Sequence, residues 1–488
     1  MEAVKRISMK KGEILEFDIE SYAFEGKGIC KLPIEDNDEL AADGKKFVVF
    51  VNGSYPGDKV KALIRRKKRS YAEATVEEVL VASEDRIEAK CKYFGVCGGC
   101  KQQDLKYPVQ AKYKEEQVRD IFERIGGFEN FELEPIVEAE KSFFYRNKME
   151  FSFADKRWLS KAEIESEKKF PESDFALGLH VPRIFNKVLD LNECFLQSEE
   201  SNQILNFTRE FFKSKKATIF STKTHEGYLR HLVIKQASHT DNLMVNLVTS
   251  SQNDELMEEY SSKLMEVVPA ITTIVNNVNL KKGKTAYGDF ENNYVGDGYI
   301  YDHIGDYKFR ISANSFFQTN TTQAANLYQI ALDYADLDGT EVLYDLYSGA
   351  GTISIFVSKK AKEVYSFESV DSAVKDAKTN NKINEITNVT HLQADLNRSF
   401  LPIIEHKTIP KPDVIVLDPP RAGMNPKTVK DLIALSPPKI VYVSCNPTTQ
   451  ARDIKLLAEV GYKLIKMRPV DMFPHTYHIE NVAMLIKE

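Results

Sequence analysis

The chain has 488 residues, 42% hydrophobic and 28% charged, with a formal net charge of -6. That length exceeds what one hydrophobic core usually supports, so two to three domains are expected, and the composition is that of a globular chain. The opening MEAVKRISMKKGEILEFDIE is charged throughout and no run of about 20 apolar residues occurs, which argues against a signal peptide and a membrane span and predicts a cytoplasmic protein without a membrane partner.

From Lys11 to Val81 the segments EILEFDIESYAFEGKGIC, FVVFVNGSYPGDKVKALI and YAEATVEEVLV are rich in Val, Ile, Phe and Tyr with Gly-bearing turns between them, which predicts a small β-barrel. Seven basic and no acidic residues fall between Lys59 and Tyr71, a local patch that the net charge conceals. Six cysteines stand at 30, 91, 97, 100, 194 and 445, too few and too uneven for a disulfide scaffold. The tight group from Cys91 to Cys100 points to a metal site instead; four thiolates, with Cys194, suit tetrahedral zinc or a [4Fe-4S] cluster equally by spacing. Residues 110–124, QAKYKEEQVRDIFER, have helical apolar spacing up to Gly126-Gly127. Residues 140–310 mix strands and helices, with a helix at QILNFTREFFKS and an exposed loop at SEKKFPESD. In FFYRNKMEFSF, Arg146 and Lys148 stand among aromatics, as in contacts with splayed RNA or, equally, on a half-buried strand with charged outward positions.

After Asn320 the pattern alternates: a helix QAANLYQIALDYA, then TEVLYDLYSGAGTISIFVS, EVYSFESV, DSAVKDAKTNNKIN, VTHLQAD, PDVIVLDPPR, TVKDLIAL and KIVYVSCNP. Apolar strands separated by amphipathic helices predict a parallel, doubly wound sheet of one domain's length. In DLYSGAGT a strand runs into a turn with Gly349 and Gly351 that opens a helix, presenting backbone N–H groups to a ligand. Ser354 replaces the third glycine of a dinucleotide fingerprint. Glu368, ending the next strand, is placed to accept ribose hydroxyls, and Asp395, ending a third, to reach an adenine. This order of signals resembles class I S-adenosylmethionine-dependent methyltransferases.

Asp418 opens DPPR, where amino-methyltransferases carry an aromatic residue in the place of Arg421. Cys445 follows 27 positions later. Carbon 5 of a pyrimidine is too weak a nucleophile to take a methyl directly; a thiolate adding at carbon 6 makes it electron-rich, and a base must then remove the carbon 5 proton. Glu480, 35 residues after Cys445, is the candidate base. An ordinary thiol, with a pKa of about 8.5, is only slightly ionised at neutral pH, so Cys445 is expected where its pKa is lowered. The structural alternatives are an inert buried cysteine and a solvated strand-end carboxylate.

Together DLYSGAGT, LDPPRAG, VSCNP and DMFPHTYHIENV resemble, in order and spacing, the RNA uracil-5-methyltransferase family. The resemblance implies Cys445 as nucleophile, Glu480 as proton-abstracting base, and cofactor contacts at Gln318, Tyr347, Glu368 and Asp418, with Asp395 at a variable position. It further implies a TRAM domain in the early barrel, and Cys91, Cys97, Cys100 and Cys194 as ligands of a [4Fe-4S] cluster like that of the 23S ribosomal RNA branch. Radical enzymes that combine a cluster with a TRAM domain use C-x3-C-x2-C, whereas the first gap here is five residues.

The expectation is a multidomain α/β enzyme: an OB-like TRAM barrel at 5–82, an α+β central RNA-binding domain with the cluster at 83–310, and a Rossmann-like class I methyltransferase domain at 311–488. By the resemblance, helix 110–124 packs on the catalytic domain. The cofactor is S-adenosylmethionine and the substrate a uridine of 23S ribosomal RNA, with transfer RNA as the alternative and cytosine a weaker one. A monomer is expected. A silent RNA-binding or assembly factor is the contrasting class, and intact Cys445 and Glu480 speak against it.

Overall fold

The computed structural model describes residues 9–33, 46–159, 161–166, 175–182, 187–283 and 285–488; the loop expected at SEKKFPESD lies outside them, apart from Ser166. Two compact units result, one of Met1–Phe94, Cys100–Asp120 and Phe473–His478, the other of Gly95–Gly99, Ile121–Met472 and Ile479–Glu488. No helix among the described residues is long and apolar enough to cross a membrane.

In the first unit β1 (Ile14–Asp18), β2 (Ser21–Ala23), β3 (Lys27–Leu32), β4 (Phe47–Asn52), β5 (Lys59–Lys67) and β6 (Tyr71–Val81) form a sheet of order β1-β5-β6-β4-β3-β2. Alternation sends Phe17, Val49, Val51, Val60, Ala62, Ile64, Ala72 and Ala74 into one core, which Cys30 joins as a packing residue. Of the basic run, Lys61 and Arg65 pair with Glu78 and Glu77, and residues 65–70 are exposed. Helix α1 (Tyr107–Asp120) holds the segment Phe473–His478: Gln110 Oε1 accepts from the His475 N–H at 2.9 Å, and Lys114 Nζ donates to the Phe473 carbonyl at 3.1 Å.

After Gly95–Gly99 the second unit continues from a π-helical turn, Ile121–Gly126, where a continuous α-helix was expected to Arg124. Phe122 there packs on Phe128 and Phe131, and Gly126 lies against Ala451, so aromatic packing after the Gly126-Gly127 stop outweighs the regular helical repeat. Then follow β7 (Glu132–Leu133), β8 (Lys148–Ala154), α2 (Lys161–Glu165), β9 (Ala176–His180), β10 (Val188–Asp190), α3 (Glu199–Ser214), β11 (Leu229–Gln236), β12 (Leu243–Thr249), α4 (Asp254–Val267), β13 (Thr273–Val278) and β14 (Phe290–Val295). Seven of these strands make a mixed sheet of order β10-β9-β8-β11-β12-β13-β14. A hairpin, β15 (Tyr299–Ile304) and β16 (Tyr307–Ser312), leads into α5 (Thr321–Ala335).

The alternating region then gives β17 (Val342–Leu346), α6 (Thr352–Val357), β18 (Glu363–Glu368), α7 (Asp371–Ile383), β19 (Val389–Gln393), α8 (Leu401–Lys407), β20 (Val414–Leu417), α9 (Pro426–Leu435), β21 (Lys439–Ser444), α10 (Pro447–Ala458), β22 (Tyr462–Val470) and β23 (Glu480–Lys487). The sheet order is β19-β18-β17-β20-β21-β23-β22-β7. Strands β17 to β21 run parallel because each returns through a helix, and β23 inserts antiparallel between β21 and β22. Strand order reverses between β17 and β20, the switch point at which open α/β sheets bind ligands.

Candidate active site

The glycine turn leaves the switch point from the carboxyl end of β17. Tyr347 takes a left-handed backbone (φ 65°), its N–H donating to the Phe367 carbonyl at 3.0 Å and its hydroxyl lying 3.2 Å from Thr428 Oγ1. Gly351 has φ 76°, and a Cβ there would sit 2.8 Å from His391 and 3.0 Å from Ala377, so the turn requires glycine twice over. Glu368 Oε2 accepts from the Gly349 N–H at 2.9 Å, and its Oε1 from the Val370 N–H at 2.8 Å. A carboxylate fixed this way keeps free lone pairs for ligand hydroxyls.

Below the turn, burial pushes the Asp345 carboxyl up to about 7 against the Ser354 hydroxyl that donates to it. Asp345 Oδ1 and Ser348 Oγ are buried without a hydrogen-bond partner among the described residues. Buried polar atoms are seldom left so. A ligand carrying hydroxyls and an amine at this turn supplies what they lack, and the residue set fits S-adenosylmethionine.

The other half of the edge is assembled by register. Ser444 pairs with Asn481, so Cys445, one step beyond β21, falls opposite Glu480 at the start of β23. Gln450 fixes that pairing, donating from Nε2 to the Tyr442 carbonyl at 2.8 Å and the Asn481 carbonyl at 3.2 Å. Asp418 ends β20 beside them, its N–H donating to the Leu346 carbonyl at 3.3 Å. The loop after Asp418 is tied to the start of α10: the Arg421 carbonyl accepts from Asn446 Nδ2 at 3.0 Å and Thr449 Oγ1 at 3.2 Å.

Electrostatics at this edge reverse one expectation. The Cys445 thiol is pushed up to about 12, first by burial and then by Glu480 and Asp418, with Arg421 opposing. Burial likewise pushes Asp418 up to about 7, and burial with Asp418 nearby holds Glu480 well above the carboxylate range. A lowered thiol pKa is therefore not a property of the resting site: three acids share one low-dielectric space and disfavour one another's ionisation. What favours a thiolate is Arg421 and the α10 N-terminus, whose cap Asn446 directly follows Cys445.

The remaining predicted residues fall as follows. Gln318 lies in the loop before α5, its side chain hydrogen-bonded to the Tyr328 hydroxyl, which in turn lies 2.9 Å from Thr352 Oγ1 at the start of α6. Asp395 stands two residues beyond β19 with its carboxylate turned to its own loop, accepting from the Asn397 N–H at 3.0 Å. Cys91, Cys97, Cys100 and Cys194 are half-buried, Cys100 Sγ accepting from Gln103 Nε2 at 3.1 Å and Cys97 Sγ from the Gly99 N–H at 3.4 Å. Among the described residues no group of three or more ligating side chains is placed to hold a metal ion. Phe144, Tyr145 and Arg146 line a cavity of about 230 Å³ with Asn147, Asn320 and Gln323.

Sequence reasoning missed Tyr328, Thr352 and the electrostatic part of Arg421. DPPR marked the last of these; nothing local marks the first two.

A doubly wound sheet with this strand order, glycine turn and acid at the end of the second strand defines a class I S-adenosylmethionine-dependent methyltransferase. The family profile described as tRNA (Uracil-5-)-methyltransferase matches residues 233–488, and that of the TRAM domain residues 9–76. An uncharacterized RNA methyltransferase of Chlorobaculum tepidum is 42% identical over 98% of this chain and 97% of its own length, and one of Bacteroides thetaiotaomicron 41% identical over 91% and 99%. The crystal structure of Pyrococcus abyssi tRNA (uracil-54, C5)-methyltransferase, in complex with S-adenosyl-L-homocysteine, superposes with TM-score 0.71 at 28% identity, covering 97% of this chain and 100% of that one. The chain belongs to the RNA (uracil-5-)-methyltransferase family and carries a TRAM domain; it is an S-adenosylmethionine-dependent RNA methyltransferase.

Proposed function

We propose that this enzyme methylates carbon 5 of a uridine in 23S ribosomal RNA through a covalent bond between Cys445 and carbon 6 of the base, acting as a cytoplasmic monomer. The observation that carries the mechanism is the register that sets Cys445 opposite Glu480 at the sheet edge bordering the glycine turn. Gln318, Tyr347, Gly349, Gly351, Glu368, Asp395 and Asp418 would hold S-adenosylmethionine. Its sulfonium supplies an electrophilic methyl group.

Cys445, as thiolate, forms a bond to carbon 6, and the electron pair of the carbon 5–carbon 6 double bond moves onto the carbon 4 carbonyl as an enolate. The enolate pair then forms the bond from carbon 5 to the methyl group as the methyl–sulfur bond breaks and its pair stays on sulfur, leaving S-adenosylhomocysteine. Glu480, as carboxylate, removes the proton from carbon 5; the pair left behind restores the double bond as the carbon 6–sulfur bond breaks and Cys445 returns to thiolate. Arg421 stabilises the negative charge that passes from Cys445 to the base. An RNA base must leave its stack to reach this edge, and the cavity lined by Phe144, Tyr145 and Arg146 together with the exposed basic stretch at 65–70 supports binding of an opened RNA strand. We further assign Cys91, Cys97, Cys100 and Cys194 to a [4Fe-4S] cluster, on the family resemblance and the chemistry of four thiolates.

A second reading is a transfer RNA uridine, favoured by the full-length likeness to the Pyrococcus abyssi tRNA enzyme. Incubating the protein with methyl-labelled S-adenosylmethionine and total RNA, then mapping the label, separates the two. Label in 5-methyluridine of 23S RNA is expected; label confined to transfer RNA overturns the ribosomal assignment.

A further inference from the structure

Lys235 on β11 is 4% exposed, on a strand that otherwise buries Leu229, Leu232, Val233 and Ile234. A lysine so placed is costly unless its donors are satisfied. Both of its hydrogen bonds go to one loop: Nζ donates to the Ser312 carbonyl at 2.7 Å and the Ser315 carbonyl at 2.9 Å. That loop joins β16 to α5 and carries Gln318.

The far side of the same loop is tied to β8's approach. Asn147 Nδ2 donates to the Gln318 carbonyl at 2.7 Å and lies 2.6 Å from Thr321 Oγ1, while its N–H donates to the Thr319 carbonyl at 2.8 Å. Thr321 Oγ1 in turn donates to buried Asp302 at 3.0 Å. The loop is thus pinned at 312 and 315 by the Lys235 side chain and at 318 and 319 by the side chain and main-chain N–H of Asn147, with exposed Phe316 between them. The acceptors are main-chain carbonyls, so the loop's own sequence contains no trace of the anchor.

We propose that Lys235 is a positioning residue for methyl transfer, holding the 312–318 loop in the shape that presents Gln318 to the cofactor. The inference rests on the reading of Gln318 as a cofactor contact. Charged groups of three elements face Lys235: Lys148 and Glu150 of β8, Glu291 of β14 and Asp376 of α7, the last paired with Arg310 of β16 at 3.4 Å. Burial first and Lys148 next bring the lysine down to about 7, with Glu291, Asp376 and Glu150 opposing, and its two hydrogen bonds go to the loop carbonyls rather than to a carboxylate. A lysine kept only for packing would be replaced by an apolar chain at no loss to the loop.

The test uses the full chain, S-adenosylhomocysteine binding and amide hydrogen exchange. Lys235→Met is expected to speed exchange in 312–320 about tenfold with the rest of the chain unchanged, and to weaken S-adenosylhomocysteine roughly 10- to 100-fold, the range for lost charge-assisted hydrogen bonds. Lys235→Arg, which keeps the donors, should restore binding to within about threefold. Should Lys235→Met fail to fold, Lys235→Gln carries the same test with a loss of about threefold to tenfold. Unchanged exchange at 312–320, accelerated exchange throughout the chain, or a faster loop with unchanged affinity each overturns the proposal. Gln318→Ala runs beside it: wild-type affinity in that variant sinks the cofactor role of Gln318, and reduced affinity there with full affinity in Lys235→Met sinks the positioning role alone.

Discussion

At the glycine turn after β17 backbone N–H groups are held in place by neighbouring strand ends, and Glu368 accepts one from Gly349 of the turn and one from Val370 beyond β18. At the ends of β20, β21 and β23, in the same sheet, Asp418, Cys445 and Glu480 crowd together and push one another toward their neutral forms, with Arg421 opposing. Binding wants a preorganised, satisfied site. Chemistry that starts from a thiol and ends on a carboxylate needs both groups to give up a proton, and the shared desolvated space holds both above their ordinary values.

If the two halves are as separate as this, variants should split them. Glu480→Gln should lower kcat by roughly 10²- to 10⁴-fold while S-adenosylhomocysteine binds as in the wild type, and the methylated RNA adduct should accumulate on the protein; normal turnover would assign the base elsewhere. Glu368→Ala should do the reverse, raising KM for S-adenosylmethionine roughly 10- to 100-fold, as expected for hydrogen bonds to a charged group, with a smaller effect on kcat. Gly351→Ala, which puts a side chain at φ 76° against His391, should cost about 1–3 kcal/mol in chemical denaturation. A Gly351→Ala protein of wild-type stability would mean that the turn is softer than drawn.

The pH profile sharpens the same contrast. Cys445 and Glu480 must both lose protons to act, and both are held above their ordinary values. Activity should therefore fall as pH drops through neutrality and rise toward pH 9. Affinity for S-adenosylhomocysteine should vary far less over that range. A rate that is flat from pH 6 to 9 would contradict the crowded-acid picture.

Much of the sheet edge was readable from sequence because each functional group sits where an apolar strand stops: Glu368 after VYSF, Asp418 after VIVL, Cys445 after YVS. Period and composition place strand ends, and the doubly wound rule places those ends together. The electrostatics were not readable. A thiolate-stabilising environment was expected for Cys445, yet the charge of its neighbours depends on β23 threading antiparallel beside β21, which no local pattern announces. Gln318 needed the family resemblance, since its position is set by a loop anchored from Lys235 and Asn147, far away in sequence. The π-helical turn at Ile121–Gly126 escaped because aromatic packing, not helical spacing, decides it.

The covalent step at Cys445 is the claim on which the rest depends. RNA carrying 5-fluorouridine at the mapped site, incubated with the protein and S-adenosylmethionine, cannot release the carbon 5 substituent as a proton, so wild-type protein should run with the RNA as one species on a denaturing gel. Cys445→Ala should form none of this species and lose at least roughly 10⁴-fold in kcat, while still binding S-adenosylhomocysteine. An equal yield of adduct from Cys445→Ala would contradict the account.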